Sequence, residues 1–389
     1  MKNNKLNTMI PLLGFMLFFI QGDSYATSPL LIAIAEDFNI SISQAGLTVV
    51  SYMIPFGLFT LLFGPLGDKI GKLKLISIAA FGTTIFSALG GIAPNFLTLC
   101  ILRAFNGAFA AAIMPVSIAL IGEVSGNNPK QLHISLSRTM ALMFFGGAVA
   151  PLIGGTLSHF GSWRFVYIFY GALELILSVL IITLIRFESV KTEDLSIARA
   201  YKEALSNKRL IKTISVMCLL GITVLGGYTY MGKYIQQSTG ISVFHVGIIL
   251  SFYGFGTLIG GRVAPKLKEI LKDRYFITAS AIGSVSLLLL AFIPNIYVLP
   301  VSLLGLGFTF TLIQPMLIAQ AQGAFPQKRG TVMSLASFNM SIGAGIGTLL
   351  YGFILKQYDF ILIYLSSAVL FLFIAVLTTR VSKKKQIPV

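Results

Sequence analysis

About twelve long apolar runs, each sized to a lipid bilayer, leave this chain little choice of architecture. They fall near 8–32, 45–66, 75–93, 97–121, 135–158, 164–186, 211–235, 243–264, 275–293, 297–320, 331–354 and 360–379. A helix needs ~20 apolar residues to cross ~30 Å of hydrocarbon. The strands of a membrane β-barrel would alternate apolar and polar residues, and these runs do not. Of the 389 residues, 56% are hydrophobic and only 11% charged, against about 25% charged in a soluble domain. The mean hydropathy is +0.86. The expectation is an all-α integral membrane protein with about twelve transmembrane helices.

The net charge of +16 first suggests a nucleic-acid partner, and its distribution argues against one. With a cytoplasmic N-terminus, the inner loops hold Lys69, Lys72, Lys74, Lys130 and Arg138, the basic residues of 186–212 and of 262–274, then Lys328 and Arg329. Arg380, Lys383, Lys384 and Lys385 follow the last run. Only Arg164, Lys233 and Lys356 fall outside, and Arg103 lies within a run. An excess of cytoplasmic Lys and Arg sets membrane orientation. The charge therefore reads as topology: a multi-pass protein of the cell membrane, both termini cytoplasmic, its basic tail in reach of anionic lipid. Lys2, Lys5, the run Met9 to Ile20 and Ser24-Tyr25-Ala26 imitate a secretory signal. Apolar character resumes through Ile34, which favours a retained first helix. Cys100 and Cys218 sit inside runs and give neither a disulfide framework nor a metal spacing. His133, His159 and His245 read as interfacial residues, so no metal or cofactor is expected.

The chain repeats itself. Pro94, Gly107 and Pro115 recur as Pro294, Gly307 and Pro315, each pair 200 residues apart (94 and 294, 107 and 307, 115 and 315). Further on, Pro129, Ser137, Gly146, Gly155 and Tyr167 recur as Pro326, Ser334, Gly343, Gly352 and Tyr364, now 197 apart (129 and 326, 146 and 343). A persistent register across several helices marks a duplicated bundle, a common plan among secondary transporters. The division expected is an N-terminal six-helix bundle over 1–186, a cytoplasmic linker over 187–210 and a C-terminal six-helix bundle over 211–389. Within the linker, Leu195, Ala198, Tyr201 and Leu205 stand at helical spacing. That suits a short amphipathic helix on the membrane surface; a structureless linker is the alternative.

Between the second and third runs lies Gly64-Pro65-Leu66-Gly67-Asp68-Lys69-Ile70-Gly71-Lys72. Its glycines permit a sharp turn and close helix approach, and its charges sit where they can stay hydrated. The stretch resembles the loop between helices two and three of the major facilitator superfamily of transporters, G-x-L-a-D-[RK]-x-G-[RK]. Gly64, Asp68, Lys69 and Gly71 would then serve conformational gating. At an offset of 197, Gly261-Arg262-Val263-Ala264-Pro265 aligns with it, which sets Pro265 against Asp68 and leaves the charged latch to the first half.

Charges inside lipid are few, and each costs at least about 2.5–3.5 kcal/mol. Asp23 lies midway along the first run beside Gln21, Gly22 and Ser24. It reads either as a proton-coupling carboxyl or as a structural aspartate at a helix break or in a permanent arginine pair. Arg103 is the only base that stands more than four residues inside a run. The stretch Arg103-Ala104-Phe105-Asn106-Gly107-Ala108-Phe109-Ala110-Ala111 resembles the helix-four motif R-x-x-[QN]-G-x-[GA]-A-A of drug/proton antiporters in that superfamily, which implies a part in proton transfer. Arg103, Asn106, Gly107 and Ala110 share one helix face. Gly146-Gly147-Ala148-Val149-Ala150-Pro151-Leu152-Ile153-Gly154-Gly155 resembles the antiporter motif G-x-x-x-G-P-x-x-G-G, with Ala150 in place of a glycine. The resemblance implies export, with Gly107, Gly147, Pro151, Gly154 and Gly155 as packing and gating positions. Glu174 lies within the sixth run and is either a second titratable group or a locally bonded one; Glu123 stands near the loop lysines. Tyr52, Asn106, Met114, Met143, Tyr228, Gln314 and Asn339 are the polar or polarizable candidates for a substrate pocket.

Taken together, the chain resembles a twelve-helix drug/proton antiporter of the major facilitator superfamily. The expected function is proton-coupled efflux of small amphipathic compounds by alternating access, by a monomer whose partners are substrate, protons and membrane lipid. The alternatives are a dedicated exporter of one metabolite, such as a siderophore or sugar, an uptake carrier, and a membrane sensor or lipid-directed enzyme. No nucleotide loop or hydrolase motif is visible, so no enzyme activity is expected.

Overall fold

Hydrocarbon offers backbone groups no partner but the chain itself, so the apolar runs become helices. A computed structural model describes residues 2–125, 128–185 and 197–383. The linker segment 187–196 with Leu195, and Lys384 and Lys385 of the tail, lie outside the described residues. Among the described residues there are helices and turns and no strand.

The first pass is α1 (Lys2–Tyr25) continued, after a one-residue interruption at Ala26, by α2 (Thr27–Asp37). The second is α3 (Ile42–Ala45) with α4 (Leu47–Ile70). Then come α5 (Lys72–Gly90), α6 (Phe96–Ser125), α7 (Pro129–Phe160) and α8 (Trp163–Leu184). A short helix, α9 (Ile197–Ser206), precedes the seventh pass. That pass is α10 (Lys208–Leu220), a π-helical segment Gly221–Gly226 and α11 (Gly227–Thr239). The rest are α12 (Val243–Leu271), α13 (Tyr275–Phe292), α14 (Val298–Ala324), α15 (Arg329–Gln357) and α16 (Phe360–Lys383). Eleven apolar stretches in the described residues can cross a membrane, and one of them, Val243–Phe292, holds both α12 and α13. Twelve crossings result. They return the chain to the side on which it began, here the terminal side; the other is the opposite side.

Apolar burial gives helices in lipid no drive to associate, so small residues that admit a neighbouring backbone do the work. The same contacts recur in both halves. Gly107 on α6 faces the Tyr52 carbonyl of α4, and Gly307 on α14 faces the Tyr253 carbonyl of α12. Gly146 on α7 faces the Phe18 carbonyl of α1, and Gly343 on α15 faces the Cys218 carbonyl of α10. At none of these four positions is there room for a Cβ. The sequence repeat is thus a repeat of helix–helix contacts. It also corrects the loop alignment. Helix α4 is capped by Gly71, at φ 100°, and α12 by Lys272, at φ 46°. These caps, like Tyr52 and Tyr253, stand 201 apart (71 and 272, 52 and 253), so Glu269, not Pro265, is the counterpart of Asp68. Glu269 makes no ion pair among the described residues, whereas Lys72 joins Asp68 at 2.8 Å and Glu123 at 3.1 Å.

Helices from the two ends of the sequence meet along two seams. Helix α7 runs against α12, and α4 runs against α15. On the opposite side, α2 lies against α11: Ser28 Oγ donates to the Tyr228 carbonyl at 2.8 Å, and the Gly232 amide donates to Ser28 Oγ at 3.3 Å. The Ser43 hydroxyl donates to the Gly352 carbonyl there as well. That side is closed.

A methyl group at Gly107 collides with a backbone carbonyl that cannot turn aside, and overpacking costs about 1–3 kcal/mol. Gly107→Ala is therefore expected to lower the thermal midpoint in detergent. Gly122→Ala, where nothing lies within 4 Å, leaves the midpoint unchanged or slightly raised.

Candidate functional site

Asp23 ends the last full turn of α1, just before the Ala26 interruption. It is 2% exposed, and Arg103 on α6 is 1% exposed. The Arg103 Nη1 donates to Asp23 Oδ2 at 2.8 Å. Two rings flank the guanidinium: its central carbon is 4.5 Å from the Tyr52 centroid and 5.2 Å from that of Tyr167. Such cation–π contacts strengthen when desolvated. The Arg103 Nη2 reaches Thr27 Oγ1 at 3.5 Å. Asp23 Oδ1 and Arg103 Nε are buried without a partner. Burying two charges is costly, and the pair persists only because each neutralises the other. Removing either partner would strand a charge.

Glu174 on α8 occupies the same interior and is 1% exposed. Its Oε2 has no hydrogen-bond partner, and no cation forms an ion pair with it among the described residues. Ser178 donates to the Glu174 backbone carbonyl at 2.7 Å and shares a hydrogen bond with Thr84 at 3.2 Å. The Asn106 amide donates to the Thr83 carbonyl at 3.5 Å. Asp23, Arg103, Asn106 and Glu174 therefore form one polar island among α1, α5, α6 and α8. Of the α6 face foreseen from helical spacing, Arg103 and Asn106 belong to this island while Gly107 meets Tyr52 on α4, and the pairing of Asp23 with an arginine is present.

A second constellation lies where the sequence halves meet. Tyr25, at the end of α1, has its ring centroid 5.7 Å from that of Tyr228 and 6.1 Å from that of Tyr253, while the latter two are 4.8 Å apart. The hydroxyls of Tyr228 and Tyr253 are buried without partners. Two of the three helices that carry this cluster are irregular at the same level of the repeat, α1–α2 at Ala26 and the seventh pass at Gly221–Gly226. Interrupted helices at matching positions of two repeats mark the binding level of many transporters.

The other candidates fall elsewhere. Met143 belongs to the core of the first half, and Met114 packs against that core. Asn339 spends its amide on the Leu335 carbonyl of its own helix, at 2.8 Å. Gln314 is half-buried on α14. Tyr52 serves as a floor for Arg103. Of the seven residues singled out for substrate, only Tyr228 joins the three-ring cluster. Tyr25 and Tyr253 were missed. The signals were available: Tyr25 stands two residues beyond Asp23, and Tyr253 is the repeat partner of Tyr52.

The helix-five motif sits at a seam. Gly247 of α12 faces the Pro151 carbonyl, and a Cβ on Gly155 would lie 2.7 Å from the Val243 carbonyl. Farther along, Gly254 rides on Ala148. Gly154 faces the Ala26 carbonyl, where an added Cβ would sit at 3.0 Å. Gly147 faces the Gln21 side chain. Near the terminal side, Gly64 lies over Ser334 of α15, while Asp68 joins Lys72, which bridges to Glu123.

The chain matches the family model of the Major Facilitator Superfamily over residues 13–348 and 232–388. It belongs to the Major Facilitator Superfamily. It is similar to the uncharacterized MFS-type transporter YceJ of Bacillus subtilis (strain 168), with 25% identity over 346 residues and 88% of each chain covered. It is also similar to the quinolone resistance protein NorA of Staphylococcus aureus (strain MSSA476), with 24% identity over 355 residues, 89% of this chain and 90% of that one. Among solved structures it resembles the nucleoside transporter NupG, with a TM-score of 0.80, 15% identity and coverage of 97% of this chain and 99% of that one. At that identity the likeness concerns the fold alone. The protein is thus a multi-pass membrane protein of a transporter family.

Truncating one member of a buried ion pair costs about 3–5 kcal/mol, while removing both is far milder. Arg103→Leu is expected to unfold at a markedly lower temperature than wild type at pH 8. The double variant Asp23→Asn/Arg103→Leu recovers most of that loss, as differential scanning fluorimetry would read.

Proposed function

We propose that the protein is a proton-coupled exporter of small amphipathic compounds working by alternating access. The observation that carries this reading is the Asp23–Arg103 pair, fully buried one turn from the seam between the halves, with one carboxylate oxygen left free. A proton arriving on Asp23 removes the charge that holds Arg103. The guanidinium is then unneutralised in a dry interior, and the first bundle gains a reason to rearrange. Release of the proton on the other side restores the pair. Glu174, buried without a cation, is a second proton-holding group of the same island.

In this reading the bundles 1–186 and 211–389 rock about the level of Ala26 and Gly221–Gly226, joined by the linker 187–210. Both termini face the cytoplasm of the cell membrane, and the monomer is the working unit. The Tyr25, Tyr228 and Tyr253 rings supply an aromatic, polarizable wall on which the Tyr228 and Tyr253 hydroxyls lack partners, which suits an aromatic compound carrying hydrogen-bond acceptors. The backbone contacts of Pro151 and Gly155 with α12 seal the seam during the exchange, and Gly154 packs on Ala26 within the first half, a gating role that the antiporter-like motif implies. The magnitudes permit export. One proton entering down ~100 mV supplies ~2.3 kcal/mol. That sustains a gradient on the order of fiftyfold for a neutral substrate, at 1.4 kcal/mol per tenfold. The similarity to a quinolone resistance protein over most of both chains supports efflux. The fold shared with a nucleoside transporter favours a second reading, a carrier dedicated to one metabolite in either direction.

Asp23→Asn matches the carboxyl group in size and cannot take up a proton, so it leaves Arg103 unneutralised at every pH, as a protonated Asp23 would. Inverted membrane vesicles carrying this variant are expected to lose efflux of a fluorescent quinolone driven by a pH gradient, while downhill exchange of the same compound persists. Undiminished gradient-driven efflux by Asp23→Asn would sink the proton role. Failure of a broad toxic-compound panel, with nucleoside transport intact, would replace export of amphipathic compounds by the second reading.

A further inference from the structure

The sequence places Tyr201 and Leu205 on one face of a helix lying on the membrane. The structure turns α9 differently. Leu205 is 49% exposed, while Ala204 is fully buried with Leu210, Ile214, Val332 and Leu335. The helix lies on protein, and its partners come from both halves. Three anchors hold it to the second half. Ala204 packs into that cluster. The Lys328 ammonium reaches Glu203 Oε2 at 2.6 Å. The Asn207 amide donates to the Ala324 carbonyl at 2.9 Å, at the end of α14. Asn207 also caps α10 by accepting from the amides of Arg209 and Leu210.

To the first half there is one polar connection among the described residues: the Tyr201 hydroxyl donates to the Leu61 backbone carbonyl of α4, at 2.7 Å. Threonine or serine at the next turn of a helix can take up a spare carbonyl, but Tyr201 comes from 140 residues away. It does so at the terminal end of the α4–α15 seam, one turn from where Gly64 lies over Ser334.

We propose that α9 is a strap riding on the second half, and that the Tyr201–Leu61 bond latches the terminal end of the α4–α15 seam shut. When the halves part on the terminal side, the anchors on α10, α14 and Lys328 travel together, and of the strap's polar contacts among the described residues only this bond must break. The latch therefore biases the carrier toward the state closed there. The inference rests on the rocking of the two halves, and it needs neither the proton nor a particular substrate.

The strap's charged anchor is insensitive to ordinary pH. The Lys328 ammonium, with Arg199 beside it, holds the Glu203 carboxyl below the usual carboxylate range. A lowered value means the pair is intact above about pH 4.3 and is lost only as pH falls through the lowered value. Any conformational response between pH 5 and 8 belongs elsewhere.

The test is a double electron–electron resonance measurement on the full chain in lipid nanodiscs, without substrate or gradient. Cys100 and Cys218 are first replaced by serine. Nitroxides are placed at Leu62, 55% exposed on α4, and at Gly330, where an added side chain meets nothing within 4 Å. Tyr201→Phe keeps the ring and removes the hydroxyl. It is expected to raise the ratio of long to short distances about fivefold, equivalent to ~1 kcal/mol at 1.4 kcal/mol per tenfold. Lys328→Gln, which removes one of the strap's three anchors on the second half, shifts the ratio in the same direction. Tyr364→Phe removes a buried hydroxyl with no partner and leaves the ratio unchanged. Distance distributions identical to wild type in both Tyr201→Phe and Lys328→Gln overturn the latch, as does an equal shift in Tyr364→Phe. Loss of proton coupling in Asp23→Asn has no bearing on this readout, and the converse holds too.

Discussion

Close backbone approach is the interaction on which this molecule depends. In hydrocarbon, a leucine gains little by leaving lipid for a neighbouring helix, so the helices are joined by contacts that only small residues allow. Gly107 under the Tyr52 carbonyl and Gly146 under the Phe18 carbonyl fix two helix pairs of the first half. Gly307 under Tyr253 and Gly343 under Cys218 fix the equivalent pairs of the second. The duplication is preserved as geometry because each glycine answers to a carbonyl, and a carbonyl cannot be repacked as a side chain can.

That scaffold explains where polar chemistry is tolerated. Asp23 and Arg103 sit on α1 and α6, each fixed to a neighbouring helix by one of these contacts, and the buried 2.8 Å pair joins the two. Glu174 is admitted to the same interior with no cation of its own. The charges have no counterpart in the second half, where Thr223, Leu303 and Phe371 stand at the repeat-matched positions (23 and 223, 103 and 303, 174 and 371). One bundle thus concentrates the ionisable groups, while the other supplies two of the three rings at the seam. The asymmetry is consistent with a division of labour between moving charge and meeting a ligand.

The seams are graded along their length. On the opposite side, Ser28, Ser43 and Gly232 knit α2 and α3 to the second half through backbone groups. Toward that same side, Pro151, Gly155 and Gly247 leave α7 and α12 with little between them but main chain, and nearer the middle Gly254 rides on Ala148. At the terminal end, the junction passes through Gly64, Ser334 and the Tyr201 hydroxyl. A surface of short-range contacts with few interlocking side chains can part and re-form, which a transporter requires of it.

Much of this was legible before any coordinates. Twelve apolar runs fix the solvent and hence the helices, because lipid leaves the backbone no alternative. The unequal distribution of lysine and arginine, the duplication and the isolated Asp23 and Arg103 are all properties of the linear chain. The register of the second-half loop was misjudged, since residue identity suggested 197 while the helix caps at Gly71 and Lys272 stand 201 apart (71 and 272). The face of α9 was also out of reach of its spacing, because a helix between lipid and protein can bury either of two adjacent residues. Only the tertiary structure decided that Asp23 meets Arg103, that Asn106 and Met143 lie inside one bundle, and that Tyr25 stands against Tyr228 and Tyr253. Periodicity tells a helix which side is apolar, but in a membrane both lipid and protein are apolar, so the choice of neighbour rests on packing in three dimensions.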